Sequence, residues 1–497
     1  MATKTMRTLL FSPKSFSSSS SNSPSPPSRY GYFSPSRPSF HESVMERTLD
    51  MAEPFIMKWN TETPILSGNV TSLFHGNRRE ARDFLKCVNN LHRAMQLLNI
   101  ENSSSERLIR AQNLMQTAMK RLQKEFYQIL STNRAYLDPE SVSARSSSSS
   151  SIASSLSDFE DSYSDDEIRA AAFSEVEDVA GLAMEDLRLI AECMISSGYV
   201  RECLKIYKII RQSVVDEGIY RLGVEKFTPS QIHKMDQEGL DLRINNWLNA
   251  LKVSVKTLFN GERILCDHVF AISDSIRESC FAEIAKGGAM ILFEFPENIA
   301  KKSRRSPEHI FRPLEMYAAI SDHWAEIDSI FSSNPTAIIK SQAMTSLIHL
   351  AEFVRSSFDD FESAISKDSS KPPISCAGIH SLTTRVLNHL SLLSNYSNVL
   401  ADIFADSAKS SLPGFQVGFP DESPAASQRV ARLILALLCK LEAKAKQCTK
   451  NANLANLFLA TNLQYVVVKV RSSNLKYLLG EEWLIKHDSM VKQFLSK

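Results

Sequence analysis

The stretch MTSLIHLAEFVRSSFDDFESAI, from Met344 to Ile365, sets Met344, Leu347, Ile348, Ala351, Val354, Phe358, Phe361 and Ile365 three or four residues apart. A helix turns once in about 3.6 residues, so these side chains fall on one face, and a face this apolar must be buried against a neighbour. The same spacing recurs on both sides. Upstream it joins Tyr317, Ile320, Trp324, Ile327 and Phe331; downstream it joins Leu382, Val386, His389, Leu393, Tyr396, Leu400 and Ile403. Further on, Gln428 to Lys450 turns Val430, Leu433, Ile434, Leu437, Leu438, Leu441 and Cys448 inward. Near the start of the chain, Leu108, Met115, Met119, Leu122, Phe126 and Ile129 repeat it again.

Thr228-Pro229, Ser306-Pro307, Asn334-Pro335, Pro372-Pro373 and Pro413-Gly414 punctuate these runs where helices should stop or start. Only Tyr465 to Val470 is locally strand-like, and its helical flanks outvote its valines. No fixed-length repeat is present. The expectation is an all-α chain, an elongated rod of stacked antiparallel helical bundles, with four parts. Residues 1–41 form a disordered Ser/Pro-rich tail, 42–140 a helical block, 141–166 a disordered linker that is Ser-rich and then acidic, and 167–497 the main bundles. The tail carries Lys4, Arg7, Lys14, Arg29 and Arg37 with no acid, as a transit peptide does, but its prolines favour an ordinary tail.

Function is bounded mainly by exclusion. The 57 Lys+Arg against 56 Asp+Glu in 497 residues give no global pull toward nucleic acid. The cysteines Cys87, Cys193, Cys203, Cys266, Cys280, Cys376, Cys439 and Cys448 include no C-x-x-C pair and read as reduced thiols. The apolar runs fall short of the roughly 20 residues that span a bilayer. Nucleotide-binding, metalloprotease, hydrolase and EF-hand motifs are absent, so no catalytic residue, metal, cofactor or small-molecule substrate is expected. Cys266 and His268 lie two apart, which in a helix turns them about 200° from each other and argues against a nucleophile and base. His389 reads as a core histidine, and Gly287-Gly288 as a helix irregularity.

Three local features carry charge. Lys301, Lys302, Arg304 and Arg305 form a basic cluster that could draw the rod to an anionic leaflet, although a solvated loop is the favoured account because four charges without an aromatic or acyl anchor bind weakly. Lys440, Lys444 and Lys446 read as a solvated face. Ser157, Ser162 and Ser164 precede acids in the manner of phosphorylation sites for acidophilic kinases, although such sequences are common in disordered tracts and an unregulated linker is the simpler account.

Several ordered segments together resemble one family. They are GYVREC at Gly198 to Cys203, LGVE at Leu222 to Glu225, and Trp247 onward to LFNGER at Leu258 to Arg263. LCDHVF at Leu265 to Phe270, RSPE at Arg305 to Glu308 and LEMY at Leu314 to Tyr317 follow. GIHSL at Gly378 to Leu382, NLFL at Asn456 to Leu459 and LGEEW at Leu479 to Trp483 complete the set. From about Glu42 onward the chain resembles the Exo70 subunits of the exocyst, plant type.

That resemblance implies a cytoplasmic, non-enzymatic subunit, recruited peripherally, that joins other exocyst subunits and helps hold secretory vesicles at the plasma membrane before fusion. It also implies contact with anionic phosphoinositide lipids. Relatives continue past the tryptophan segment, so a chain shortened at the C-terminus is expected to bind such membranes weakly. Trp483, Leu484, Val491, Phe494 and Leu495 are then expected to stand more exposed. Ser381 after His380, where relatives place proline, is expected to loosen that helix start. Without the resemblance, the same periodicity permits a helical adaptor unrelated to secretion.

Overall fold

The computed structural model describes residues 40–60, 72–101, 106–143, 166–302, 309–370, 378–405, 424–448 and 452–496. Every long element is a helix, and no strand occurs among the described residues. The first four are α1 (Phe40–Lys58), α2 (Leu73–Gly76), α3 (Arg78–Glu101) and α4 (Glu106–Thr132). Next come α5 (Asp166–Ser196), α6 (Val200–Arg221), α7 (Pro229–Lys234), α8 (Gln237–Val253), a π-helical stretch Ser254–Phe259 and α9 (Asn260–Val269). The middle of the chain forms α10 (Asp274–Lys302), α11 (Phe311–Asp322), α12 (Trp324–Ile330) and α13 (Ala337–Lys367). The last five are α14 (Ser381–Leu393), α15 (Ser397–Ala405), α16 (Ala425–Cys448), α17 (Ala452–Arg471) and α18 (Leu475–Leu495).

Local chemistry sets these boundaries. At Thr228 a reciprocal cap forms: the Gln231 backbone N–H donates to Thr228 Oγ1 at 3.4 Å, and the Thr228 N–H donates to Gln231 Oε1 at 2.8 Å. Pro229 then occupies the first turn, where no intrahelical donor is lost. Helix α5 ends at Gly198, whose φ of 89° suits a residue without Cβ, and the Tyr199 N–H reaches back to Met194 O at 2.9 Å. Two of the long periodic runs are broken. The run from Tyr317 to Phe331 divides at His323, and the run from Leu382 to Ile403 passes through a tight 3-10 turn at Ser394–Tyr396. The valines of Tyr465 to Val470 lie inside α17, with Val466, Val467 and Val470 buried.

Helices pack into two apolar cores in tandem. The first runs from Met45 in α1 through α3 to α10 and ends at Leu350; the second runs from Ile310 to Val491. The block α1 to α4 is part of the first core rather than a separate body, because α4 packs on both α5 and α6. Helix α13 belongs to both: Ile339, Ala343 and Leu350 face the first core, while Ala351, Val354, Phe358, Phe361 and Ile365 face the second. Its buried face therefore differs from the periodic reading in the first half, where Met344 and Ile348 point to solvent and Ser346 turns inward to donate to Phe293 O.

Inside the first core lies an ion pair with no exposure at either partner. Arg211 of α6 donates through Nε to Glu262 Oε1 at 2.8 Å, with Tyr207 and Cys266 beside it. Burial pushes the Glu262 carboxyl up, and the adjacent guanidinium opposes that push. Glu262 is placed by its neighbour. A Cβ on Gly261 would stand 2.3 Å from Pro139 O, so only glycine lets the chain after α4 press on α9. Arg263 turns outward to pair with Glu278 and lies over the Phe281 ring.

A lone buried charge costs far more than the pair contributes. Arg211→Met is therefore expected to lower the unfolding free energy by about 3–5 kcal/mol. The double variant Arg211→Met, Glu262→Leu is expected to recover most of that loss. Urea midpoints of the two variants check both numbers, and equal losses would place the cost in packing instead.

Candidate interaction surfaces

The side chains that sequence spacing brings near one another do not assemble into a catalytic centre. Cys266 is buried, with its thiol 3.7 Å from the Tyr207 hydroxyl, and burial raises its pKa well above the usual thiol range. His268 turns to the other side, 3.7 Å from Glu185. Gly287 and Gly288 lie within the unbroken α10, where a Cβ on Gly288 would meet Ile219 and Val215 at 2.9 and 3.1 Å. Their smallness lets α6 approach, which replaces the reading of a helix irregularity. Among the described residues no cluster of three His, Cys, Asp or Glu side chains is arranged to hold a metal. No described helix is long and apolar enough to cross a membrane.

Of the basic cluster, Lys301 is exposed at the end of α10 and its Nζ pairs with Glu297. The Lys302 side chain, Arg304 and Arg305 lie outside the described residues, as do Ser157, Ser162 and Ser164.

The set Lys440, Lys444 and Lys446 needs correction. Lys446 is exposed and pairs with Glu442 at 3.1 Å, and Lys440 donates to Ser366 O at 2.6 Å. Lys444, however, is only 4% exposed and reaches Asp368 Oδ2 at 3.0 Å beneath the end of α13. Arg385 of α14 binds the other Asp368 oxygen at 2.9 Å. Burial alone would raise the Asp368 pKa, but bonds from Ser370, Lys444 and Arg385 hold it well below the usual carboxylate range. The cation that looked like solvated surface is thus a clamp joining α13, α14 and α16. No spacing signal distinguished it from Lys440 and Lys446.

The start of α14 is likewise better fixed than expected. His380 is fully buried, and its Nδ1 accepts from the Leu382 N–H at 3.1 Å, so the imidazole caps the helix. Asn462 of α17 holds the same corner through its Oδ1, which accepts from the His380 N–H and from Thr383 Oγ1, both at 2.8 Å. At the far end, Trp483, Leu484 and Val491 are buried, at 6%, 3% and 4% exposure, because α18 lies against α16 and α17. Of the five residues expected to stand open, Leu495 is exposed at 62% and Phe494 is half-buried.

What remains outside is apolar side chains scattered along the rod. Met51 and Ile100 are 76% and 82% exposed on the N-terminal block. A larger concavity lies between α16, α17 and α18, about 610 Å³, floored by Ile434, Leu438, Leu463 and Trp483.

His389 is half-buried at the edge of the second core, its ring set 4.6 Å from Phe361 and 5.2 Å from Phe311, centroid to centroid. Burial pushes its pKa down to about 4 from the ordinary 6.5. A depressed folded pKa contributes stability above pH 6.5 and loses it as pH falls toward 4, because the unfolded chain takes up the proton first. Between pH 7 and pH 4.5 this group is expected to cost about 2 kcal/mol, on the scale of about 1.4 kcal/mol per pKa unit. His389→Phe should show a correspondingly shallower acid loss in urea midpoints measured at the two pH values.

Known proteins are similar to this chain in sequence and in architecture. The family described as "Exocyst complex component Exo70 N-terminal" matches residues 48–132, and the family of the C-terminal part of the Exo70 exocyst complex subunit matches residues 245–497. The exocyst complex component EXO70A1 of Arabidopsis thaliana is 30% identical over 462 residues, which cover 91% of this chain and 69% of that protein. EXO70B1 from the same plant is 28% identical over 397 residues, covering 78% of this chain and 62% of its own length. In three dimensions the chain is similar to Exo70 of S. cerevisiae, with a TM-score of 0.60 at 13% identity over 90% of this chain and 78% of that one. The yeast likeness speaks for the helical rod alone. The two family matches and the 30% identical relative together show that this chain belongs to the Exo70 family of exocyst subunits, of the plant type.

Proposed function

We propose that this chain is a non-enzymatic exocyst subunit that helps tether secretory vesicles to the plasma membrane before fusion. The observation that carries the reading is membership of the Exo70 family at both ends of the chain, in helices that share continuous cores. Buried polar side chains such as Arg211, Glu262, Lys444 and Asn462 are engaged in pairs that join helices, which suits a body that works through its surface. Its partners are then the other exocyst subunits. The N-terminal block, with Met51 and Ile100 largely exposed, is the assembly region in this reading.

A secondary contact with anionic phosphoinositide membrane is assigned to Lys301, Lys302, Arg304 and Arg305. Near an anionic leaflet each basic residue contributes about 1 kcal/mol, and Lys301 shares its charge with Glu297, so the contact is weak, reversible and salt-sensitive. The chain is then a peripheral visitor at the plasma membrane rather than an anchored one. Ser157, Ser162 and Ser164 would add negative charge to the preceding linker when phosphorylated, which opposes that contact.

Affinity capture of the tagged full chain is expected to recover other exocyst subunits, and capture that brings none overturns the proposal. Because α4 is built into the first core, the assembly region is tested by exposed substitutions: Met51→Glu with Ile100→Glu should reduce recovery several-fold without lowering the melting temperature. For the lipid contact, sedimentation with vesicles containing phosphatidylserine and a phosphoinositide should show binding at low salt that is lost at physiological salt. Exchanging all four basic residues for glutamine should abolish it. Tight, salt-insensitive binding contradicts the assignment.

A further inference from the structure

Helix α3 carries its charge against its own dipole. The first turn of a helix is its positive end and favours acids, yet α3 opens with Arg78 and Arg79, and Arg82 follows one turn on. Glu80, the acid of that turn, is held by Lys58 and the indole N–H of Trp59. Arg78 is answered by Asp186 of α5 at 2.8 Å, and Arg82 lies in the field of the same acid and of Glu185. Lys86 pairs with Asp83 at 3.3 Å while both stay in water. Arg79 and Arg93 are exposed and form no ion pair with any described residue.

These cations are in register. Arg79, Lys86, Arg93 and Ile100 stand seven residues apart. Seven residues fall about 20° short of two full turns, so the four side chains keep to one edge of α3 over about 31 Å. The edge faces outward: Arg79, Lys86 and Arg93 are exposed, and Leu97 and Ile100 follow them at 45% and 82% exposure. A seven-residue row is the spacing at which one helix lies along another, and the sign of this row calls for carboxylates on the partner. An anionic bilayer would attract the same charges at any spacing and leaves the register unaccounted for.

The nearby parts of this chain do not supply those carboxylates. Residues 61–71 and 102–105, which flank α3, contain one acid, Glu62. The acidic stretch Asp158 to Asp165 leads into α5, which runs parallel to α3, since Arg78 meets Asp186 and Asn89 meets Cys193. Asp166 then lies about 30 Å beyond Arg78 and about 50 Å from Arg93, whereas eight residues of extended chain reach about 27 Å.

We propose that the outer edge of α3 is a docking seam for an acidic helix of a partner protein, with carboxylates against Arg79, Lys86 and Arg93 and apolar side chains against Leu97 and Ile100. This contact rests on the reading of the N-terminal block as the assembly region and gives that region a partner of defined chemistry.

The test uses the purified full chain and a synthetic helix of about twenty-one residues, three heptads long. Glutamate runs along one edge, with leucine at both ends of it so that either orientation seats an apolar end on Ile100. A counterpart carries lysine in place of glutamate. Fluorescence anisotropy should show the glutamate helix bound at least about tenfold more tightly than the lysine helix, and more weakly as salt rises. The triple variant Arg79→Glu, Lys86→Glu, Arg93→Glu should reverse that order and bind the lysine helix instead. Its melting temperature should not fall below the parent's, because all three side chains are exposed. Equal binding of the two helices by the parent, or an unchanged preference in the triple variant, overturns the seam. So does sedimentation with anionic vesicles that depends on these three residues while the glutamate helix fails to bind. If the parent captures exocyst subunits and the triple variant captures them equally, the seam is overturned and the assembly reading stands. A parent that captures none overturns the assembly reading itself.

Discussion

One helix governs the shape of this molecule. Helix α13 runs 31 residues without a break, about 46 Å, and contributes to both cores. A straight helix transmits orientation along its length, so the two halves of the rod cannot turn independently while both faces of α13 stay buried. Its register is pinned at two heights. Ser346 donates to the backbone of α10 at Phe293, and Arg355 donates twice to Ile403 O of α15, at 3.0 and 2.6 Å. Beyond its end, Asp368 gathers Lys444 and Arg385, which ties α16 and α14 to the same axis.

Several buried polar groups fix the arrangement of the helices. Arg211 and Glu262 leave the interior intolerant of any packing of α6 on α9 that separates them, since an unpaired charge there is so costly. Asn462 does the same between α14 and α17 with neutral groups, its Nδ2 donating to Gly378 O at 3.2 Å and to Phe458 O at 2.9 Å. Trp247 donates its indole N–H to Leu292 O at 2.7 Å, fixing α8 against α10. Each sits in or beside a segment that resembles the Exo70 family. Those segments are therefore legible as folding devices: Gly261 for close approach, Glu262 for the ion pair, His380 for a cap.

A body built this way presents apolar side chains on its outer helix faces. Several interior donors and acceptors face one another, as Arg211 does Glu262 and Thr383 does Asn462, and exposed apolar side chains such as Met51, Ile100 and Leu495 lie on outer helix faces. Membership of the Exo70 family fits a rod of stacked helices, the architecture shared with Exo70 of S. cerevisiae.

The repeating three and four spacing of apolar residues, by itself, determined that this chain is helical and where most core side chains point, because burial of a stripe is a local consequence of helical geometry. Leu108 to Ile129, Val430 to Leu441 and Phe358 to Ile365 were readable for that reason. The family segments in their order determined the kinship. Only the tertiary structure decided which charges are interior. Lys444 and Lys446 are two residues apart with the same chemistry, yet one is sealed under Asp368 and the other is in water, because the difference lies in where α13 ends. Only it decided that Met344 and Ile348 face out while Ser346 faces in, since α13 must change partners midway. The trough beside Trp483 was equally invisible in the sequence. Its walls come from three helices, beside a kink at Gly480 that no periodicity records.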